Sequence, residues 1–121
     1  RDFIPLPPAE AFRNAESYTA TKAHELIHWT GHPRRNAREF GRRFGDRAYA
    51  AEELIAEMGS AFLCADLGIA SEVREDHTAY LACWLDVMKA DSRAIFAAAS
   101  QAQRAADYLH RLQDDLPAAE A

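Results

Sequence analysis

Long apolar runs are absent from this chain of 121 residues. A membrane-spanning helix needs about 20 consecutive apolar residues, and no stretch of the sequence comes near that length. The first residues, RDFIP, contain neither the apolar segment of a secretory signal peptide nor an initiator methionine. The sequence therefore predicts a cytoplasmic protein, and we expect these residues to be part of a longer one.

Cysteine is scarce as well, with only Cys64 and Cys83 in the chain. Neither residue belongs to a C-x-x-C motif or has the spacing of a cysteine metal site. Both lie in apolar stretches of helical character, so we expect two buried, reduced thiols, as in a cytosolic protein. One disulfide between the two helices is the alternative.

Sequence typical of β-strands is limited to one short segment. Phe3–Leu6 is apolar and extended, and the prolines around it confine it to an edge strand or a leading arm. The remainder has the periodicity of α-helices. The sequence therefore predicts a mainly α (α+β) fold with at most a small sheet, organised as a single domain over residues 1–121 with a frayed tail at 114–121.

Four helices are predicted, at about residues 14–31, 47–67, 75–90 and from residue 92 onward. Asn14 or Ser17 could cap the first helix, Gly31 and Gly68 suit the ends of the first and second, and Ser92 could cap the fourth. The apolar spacing of the fourth helix also predicts its inner face. That face would carry Ile95, Phe96, Ala99, Ala102, Ala106 and Leu109.

The most informative motif is His24-Glu25-Leu26-Ile27-His28, an H-E-x-x-H sequence inside the first predicted helix. Residues four apart lie one turn apart on the same helix face, so both imidazoles can reach one metal ion. Glu25 would stand beside the ion, where a carboxylate can take a proton from water and deliver it to a leaving amine. The motif predicts a catalytic zinc site with Glu25 as the catalytic residue.

A catalytic zinc site of this kind needs a third protein ligand and one open position. The extended motif H-E-x-x-H-x-x-G-x-x-H is kept as far as Gly31, but Arg34 stands where its third histidine belongs. Glu53 and Glu57, four apart on the second predicted helix, offer the alternative. We expect Glu53 to be the third ligand and Glu57 to accept the outer N–H of a ligating histidine. Glu52 points about 100° away and is expected to be solvated.

The chain is acidic overall, with a net charge of −5, but it contains one strongly basic stretch. The segment Arg34–Arg47 carries six arginines against Glu39 and Asp46, and its glycines favour a loop. Such a loop could contact the phosphates of DNA or an acidic peptide. The alternative is a solvated loop whose arginines pair with the surrounding acidic helices, and the sequence favours neither interpretation.

Two longer blocks, HELIHWTGH at residues 24–32 and YAAEELIAEMG at residues 49–59, resemble the zincin-like domain of ArdC-type antirestriction proteins. The same domain occurs at the C-terminus of plasmid TraC-type primases and in the polyvalent proteins of mobile elements. The segments DFIPLPP and YLACWL also match, so the resemblance covers nearly the whole chain. It implies cytoplasmic action that protects incoming DNA from restriction. The single-stranded-DNA-binding domain that precedes this domain in the family is not within these residues.

The predicted function is metal-assisted hydrolysis of a peptide bond, with a ligand layout that resembles the gluzincins. One Zn²⁺ per chain, held by His24, His28 and Glu53, would polarise the scissile carbonyl, with Glu25 as general base and then general acid. Mn²⁺ and Co²⁺ also suit such donors. We expect one of four residues to stabilise the oxyanion: His32, Arg35, His77 or Tyr80.

Two other classes of function stay open at this stage. The first is a DNA-binding module in which the Arg34–Arg47 loop contacts the nucleic acid. The second is a partner-binding antirestriction protein in which the metal only holds two helices together. The carboxylate of Glu25 argues against both, because a structural zinc site has no use for a base beside the ion.

Overall fold

The computed structural model describes residues 2–38, 47–69, 84–86 and 88–114. Its elements are a 3₁₀ turn at Ala9–Ala11 and three long helices, α1 (Ala15–Thr30), α2 (Arg47–Leu67) and α3 (Ala94–Asp114). Residues 84–86 and 88–90 are also helical, and the described residues contain no β-strand. The predicted mainly helical fold is confirmed. Over the same part of the chain, none of the helices combines the length and apolarity that crossing a membrane requires.

Helix α1 carries the H-E-x-x-H motif, and both of its ends are fixed by hydrogen bonds. The Asn14 side chain accepts from the Ser17 N–H at 2.7 Å, which identifies Asn14 as the cap. Beyond the other end the chain folds back, and the Arg38 N–H donates to the Gly31 carbonyl at 3.1 Å. The loop 31–38 is thereby held against the C-terminus of α1.

Helix α2 packs against both α1 and α3, and it approaches α1 very closely at Gly59. A Cβ atom on Gly59 would lie 2.8 Å from Cδ1 of the fully buried Ile27, well inside van der Waals contact. Glycine at this position therefore sets the distance between the H-E-x-x-H helix and the acidic residues of α2. The surrounding core consists of Ala23, Ile27, Ile55, Ala56, Leu63, Ala98, Ala102, Ala105 and Ala106.

The buried face of α3 is a stripe of small residues, Ala98, Ala102, Ala105 and Ala106. Two larger residues predicted for this face lie at the surface instead. Ile95 is 43% exposed and Phe96 is 75% exposed, so that part of the prediction was wrong. Ile95 belongs to the first turn, before the buried stripe begins, and Phe96 lies about 160° around the helix from Ala98, on the side away from the stripe. The alanine stripe lets α3 pack closely on α2.

Trp84 attaches the helical residues 84–86 to α2. Its indole N–H donates to the Ala50 carbonyl at 2.7 Å. The preceding part of the predicted third helix, residues 75–83, lies outside the described residues.

Helix α2 ends at Leu67, and Gly68 follows with a φ of 71°, a left-handed conformation that glycine adopts without strain. Near this end, Cys64 is buried and free, and burial raises the pKa of its thiol. Cys83 and the residues after Asp114 lie outside the described part of the chain. The free thiol of Cys64 argues against the alternative disulfide, whereas the frayed tail stays a prediction.

Candidate metal centre

Three donor side chains meet between α1 and α2. The Nε2 atoms of His24 and His28 lie 3.1 Å apart. One carboxylate oxygen of Glu53 lies 3.2 Å from Nε2 of His24, and the other lies 3.1 Å from Nε2 of His28. Donors that surround a zinc ion tetrahedrally at about 2 Å are separated by roughly 3.3 Å. The structure therefore brings the three predicted ligands to separations that suit one ion.

The outer nitrogens of both histidines face carboxylates of α2. Nδ1 of His24 lies 2.6 Å from Oε1 of Glu57, and Nδ1 of His28 lies 2.9 Å from Oε2 of Glu52. Glu52 is only 5% exposed, so the prediction that it is solvated was wrong. The turn of about 100° between Glu52 and Glu53 places the two carboxylates on opposite nitrogens of the same His28 ring.

Arg38 supplies the positive charge that accompanies the burial of Glu52. Its Nε and Nη2 donate to the two carboxylate oxygens of Glu52, each at 2.9 Å. Nη1 donates to the Thr30 hydroxyl at 2.9 Å, and Nη2 also donates to the Ile27 carbonyl at 2.6 Å. The alternative in which the arginines pair with acidic helices includes this kind of contact, but the sequence did not single out this pair. Two features of the sequence could have indicated it: Glu52 directly precedes the predicted ligand Glu53, and Arg38 follows soon after the H-E-x-x-H helix.

The carboxylates stabilise positive charge between the two helices. Burial alone would lower the pKa of His28, but the hydrogen bonds with Glu52 and Glu53 outweigh it and raise the pKa to about 9. Burial would raise the pKa of Glu53, but the hydrogen bonds from His24 and His28 outweigh it and hold this pKa well below its ordinary range. Without a metal ion, a proton on His28 partly balances the carboxylates.

The same groups fit a divalent metal ion. A ligating histidine usually donates its outer N–H to an oxygen acceptor and presents the lone pair of its other nitrogen to the metal. When Nδ1 of His28 donates to Glu52, and Nδ1 of His24, which lies beside Glu57, also carries the proton of its ring, the Nε2 atoms and the oxygens of Glu53 face one another with lone pairs only, at 3.1–3.2 Å. Such an arrangement is repulsive unless a cation lies among the acceptors. Two imidazoles and one carboxylate are a donor set for zinc and for other first-row divalent ions.

Glu25, half-buried, lines an open cleft of about 430 Å³ beside this donor group. His28, His32 and Arg35 also line the cleft, and residues 2–5 form one of its sides. The cleft gives a bound molecule access both to His28, one of the predicted ligands, and to the predicted general base.

The four candidates for stabilising an oxyanion are placed differently. Nδ1 of His32 accepts from the Arg34 N–H at 3.1 Å, which puts the proton of the neutral ring on Nε2. Arg35 lines the same cleft. His77 and Tyr80 lie outside the described residues, so their roles stay predictions.

Arg35 ties the N-terminal segment to the end of α1. Its Nε donates to the Trp29 carbonyl at 2.7 Å, and its guanidinium group stacks 3.7 Å from the centre of the Trp29 ring. Its two terminal nitrogens donate to the carboxylate of Asp2, which lowers the pKa of Asp2. Asp2 was not singled out from the sequence. Arg35 and Arg38 are thus engaged within the domain, and residues 39–46 of the basic loop lie outside the described residues.

Comparison with known proteins identifies the domain. Residues 1–101 match the zincin-like metallopeptidase family. The uncharacterised protein y4eC of Sinorhizobium fredii is 45% identical over 114 residues, which cover 94% of this chain and 37% of that protein. The DNA primase TraC of Escherichia coli is 42% identical over 108 residues, which cover 89% of this chain and 10% of the primase. The chain thus spans well under half the length of either relative.

Solved structures of one relative show the same fold. The Mn(II)-bound crystal structure of the antirestriction protein ArdC from plasmid R388 matches with a TM-score of 0.83 and 45% identity, over 93% of this chain and 42% of ArdC. The metal-free ArdC structure matches with a TM-score of 0.82 and 46% identity, over 96% of this chain and 42% of ArdC. The predicted resemblance to ArdC-type domains is confirmed. Because the family match spans residues 1–101, this chain belongs to the zincin-like metallopeptidase family.

Proposed function

We propose that this domain hydrolyses a peptide bond with one bound divalent metal ion, which we infer to be Zn²⁺. The observation that carries the proposal is the convergence of His24, His28 and Glu53 beside a cleft that Glu25 lines. Three protein ligands leave one coordination position open, as catalytic zinc sites require. We further propose that the substrate is a protein or peptide. The domain would act in the cytoplasm, as part of an antirestriction protein of a mobile element.

Each residue of the site has a separate task in this scheme. When bound, the metal ion supplies Lewis acidity that polarises a carbonyl and makes a water molecule more acidic. His24, His28 and Glu53 hold the ion, and Glu57 lies beside Nδ1 of His24, where a carboxylate would orient the ring of a ligating histidine. Glu25 takes a proton from the attacking water and delivers it to the nitrogen of the leaving amine.

Of the oxyanion candidates among the described residues, His32 is the better suited. Its Nδ1 accepts from Arg34, so its Nε2 carries the proton and can donate to a developing oxyanion. Arg35 lines the same cleft, but Nε and both terminal nitrogens already donate to Trp29 and Asp2. We therefore expect His32→Ala to lower kcat while metal content stays unchanged.

The test compares metal-loaded wild type with Glu25→Gln on a peptide library derived from a bacterial proteome, with new N-termini detected by mass spectrometry. Wild type should cleave a reproducible sequence pattern, and a chelator should abolish cleavage. Glu25→Gln should bind the metal with similar affinity but cut none of these peptides. A fully metal-loaded wild type that leaves the library intact, or a Glu25→Gln variant that cleaves like wild type, would contradict the proposal.

A DNA-binding role is the second candidate, and the similarity to an antirestriction protein and to a DNA primase favours it. Among the first three arginines of the basic stretch, Arg34 is exposed, whereas Arg35 and Arg38 are paired with acidic side chains. If the domain itself binds DNA, its affinity should fall steeply with salt and the slope should decrease in Arg34→Ala. Salt-independent or absent binding would exclude this role.

A further inference from the structure

We propose that Arg38 is a positioning residue for the metal ligand His28, and that it acts through the buried carboxylate of Glu52. The inference rests on the proposed metal centre and adds to it the groups that fix one of its ligands. Two observations support it: the bidentate ion pair of Arg38 with Glu52, and the hydrogen bond from His28 to the same carboxylate.

Glu52 is the link between the arginine and the metal ligand. Its Oε2 accepts from Nδ1 of His28 and from Nη2 of Arg38, each at 2.9 Å, and its Oε1 accepts from Nε of Arg38 at 2.9 Å. These bonds fix both the position and the rotation of the carboxylate. A carboxylate fixed in this way holds the His28 ring in the tautomer that presents the lone pair of Nε2 to a metal.

Arg38 is itself held in place by α1. Nη1 donates to the Thr30 hydroxyl at 2.9 Å and Nη2 donates to the Ile27 carbonyl at 2.6 Å, so the guanidinium group joins the loop 31–38, the end of α1 and α2. Its side chain is only 4% exposed. A lysine carries the same charge, but its single nitrogen cannot reproduce the planar set of donors of the guanidinium group.

The other histidine ligand shows why an arginine is needed on this side. The Glu57 side chain, which lies against Nδ1 of His24, is 20% exposed and is partly stabilised by solvent. The Glu52 side chain is 6% exposed, so the nearby positive charge of Arg38 has to compensate for its lost hydration. Loss of Arg38 should therefore disturb the carboxylate and, through it, the His28 ring.

The test measures the dissociation constants of Mn²⁺ and Zn²⁺ by calorimetry, at a temperature where circular dichroism shows each variant to be folded. Arg38→Lys and Glu52→Gln should each weaken binding by about 10- to 100-fold. Because both substitutions break one chain of contacts, the double variant should be within about twofold of the weaker single variant.

Arg35→Lys is the matched control. Arg35 also forms a bidentate ion pair and is anchored to α1, but its hydrogen bonds go to Asp2 and Trp29 and not to Glu52. It should lose stability while keeping metal affinity within about twofold of wild type. If Arg38→Lys does not fold, Glu52→Asp carries the test. It keeps the charge but withdraws the carboxylate by one methylene, and it should weaken binding by at least about threefold.

Wild-type metal affinity in folded Arg38→Lys, Glu52→Gln or Glu52→Asp would overturn the inference. An Arg38→Lys effect that persists undiminished in the Glu52→Gln background would also overturn it, because Arg38 would then act by another route. These results are separate from the test of peptidase activity. An inactive wild type whose variants follow the expected affinities would remove the hydrolase and leave the positioning role standing, and a wild type that binds no metal would remove both.

Discussion

Replacing Gly59 by alanine tests whether the spacing of α1 and α2 determines the geometry of the metal centre. The added Cβ would lie 2.8 Å from Cδ1 of Ile27, whereas ordinary contact begins at 3.4 Å, so a displacement of roughly 0.6 Å is needed. Ile27 is fully buried, so a new rotamer would have to displace other core residues. His28 follows Ile27 in the chain, so the displacement should reach a proposed metal ligand.

Two effects of opposite sign contribute to the change in stability. Alanine is favoured over glycine inside a helix by about 1 kcal/mol, which by itself would stabilise the protein. An extra methyl group forced into a packed core costs about 1–3 kcal/mol. We expect the steric effect to win, with a net loss of about 1 kcal/mol in the free energy of unfolding and about tenfold weaker metal binding.

Urea unfolding of the metal-free protein measures the stability change, and calorimetric titration with Mn²⁺ measures the affinity. Ala65→Gly, at an exposed position of α2, calibrates helix propensity alone and should cost about 1 kcal/mol. In an Ile27→Ala background the added methyl group has room, so Gly59→Ala should become stabilising there. A Gly59→Ala variant that is more stable than wild type, with unchanged metal affinity, would refute the reasoning.

Four further predictions concern the metal centre and the start of α1. Glu53→Ala should abolish metal binding and Glu57→Ala should only weaken it, as elemental analysis of the purified variants would show. Metal binding near pH 7.5 should release about one proton, because the pKa of His28 is raised to about 9 and its ring is protonated before the metal binds. Calorimetry in buffers of different ionisation enthalpy measures this release. The metal-free protein should lose stability as the pH rises from 6.5 to about 9. The pKa of His28 is higher in the folded than in the unfolded chain, so the stability that its protonation contributes is full below the unfolded pKa and disappears above the folded one. Urea unfolding measures this, and a midpoint that does not change across that pH range would contradict the prediction. Asn14→Ala should lower the free energy of unfolding by about 1 kcal/mol in the same assay, since the Ser17 N–H loses its acceptor.

The sequence was sufficient for those parts of the site that depend on one helix at a time. The four-residue spacing of His24 and His28 places both rings on one face of α1 regardless of the rest of the fold. The same rule on α2 pairs Glu53 with Glu57, and the structure brings both to the His24 ring. The cap at Asn14 is likewise a local property of the chain.

The parts that sequence could not supply depend on how α1, α2 and the loop between them meet. Glu52 was assigned to solvent because helical geometry turns it about 100° from Glu53, and that reasoning treats the partner as a single flat surface. The His28 ring instead extends between the two glutamates, and each contacts one of its nitrogens. The return of the loop to place Arg38 beside Glu52 is equally invisible in a helical pattern.

The charges at this centre explain why it suits a divalent ion rather than a proton. Glu52, Glu53 and Glu57, together with Arg38, carry a net charge of −2 when all are ionised and both imidazoles are neutral. For these four groups, one proton on His28 leaves −1 and a divalent cation brings the sum to zero, and an ionised Glu25 in the adjoining cleft adds one further negative charge in either case. Without Arg38 the same carboxylates would leave an excess negative charge even with the metal bound. Arg38, which lies in the basic stretch of the sequence, therefore offsets the charge of Glu52, the carboxylate that lies behind His28.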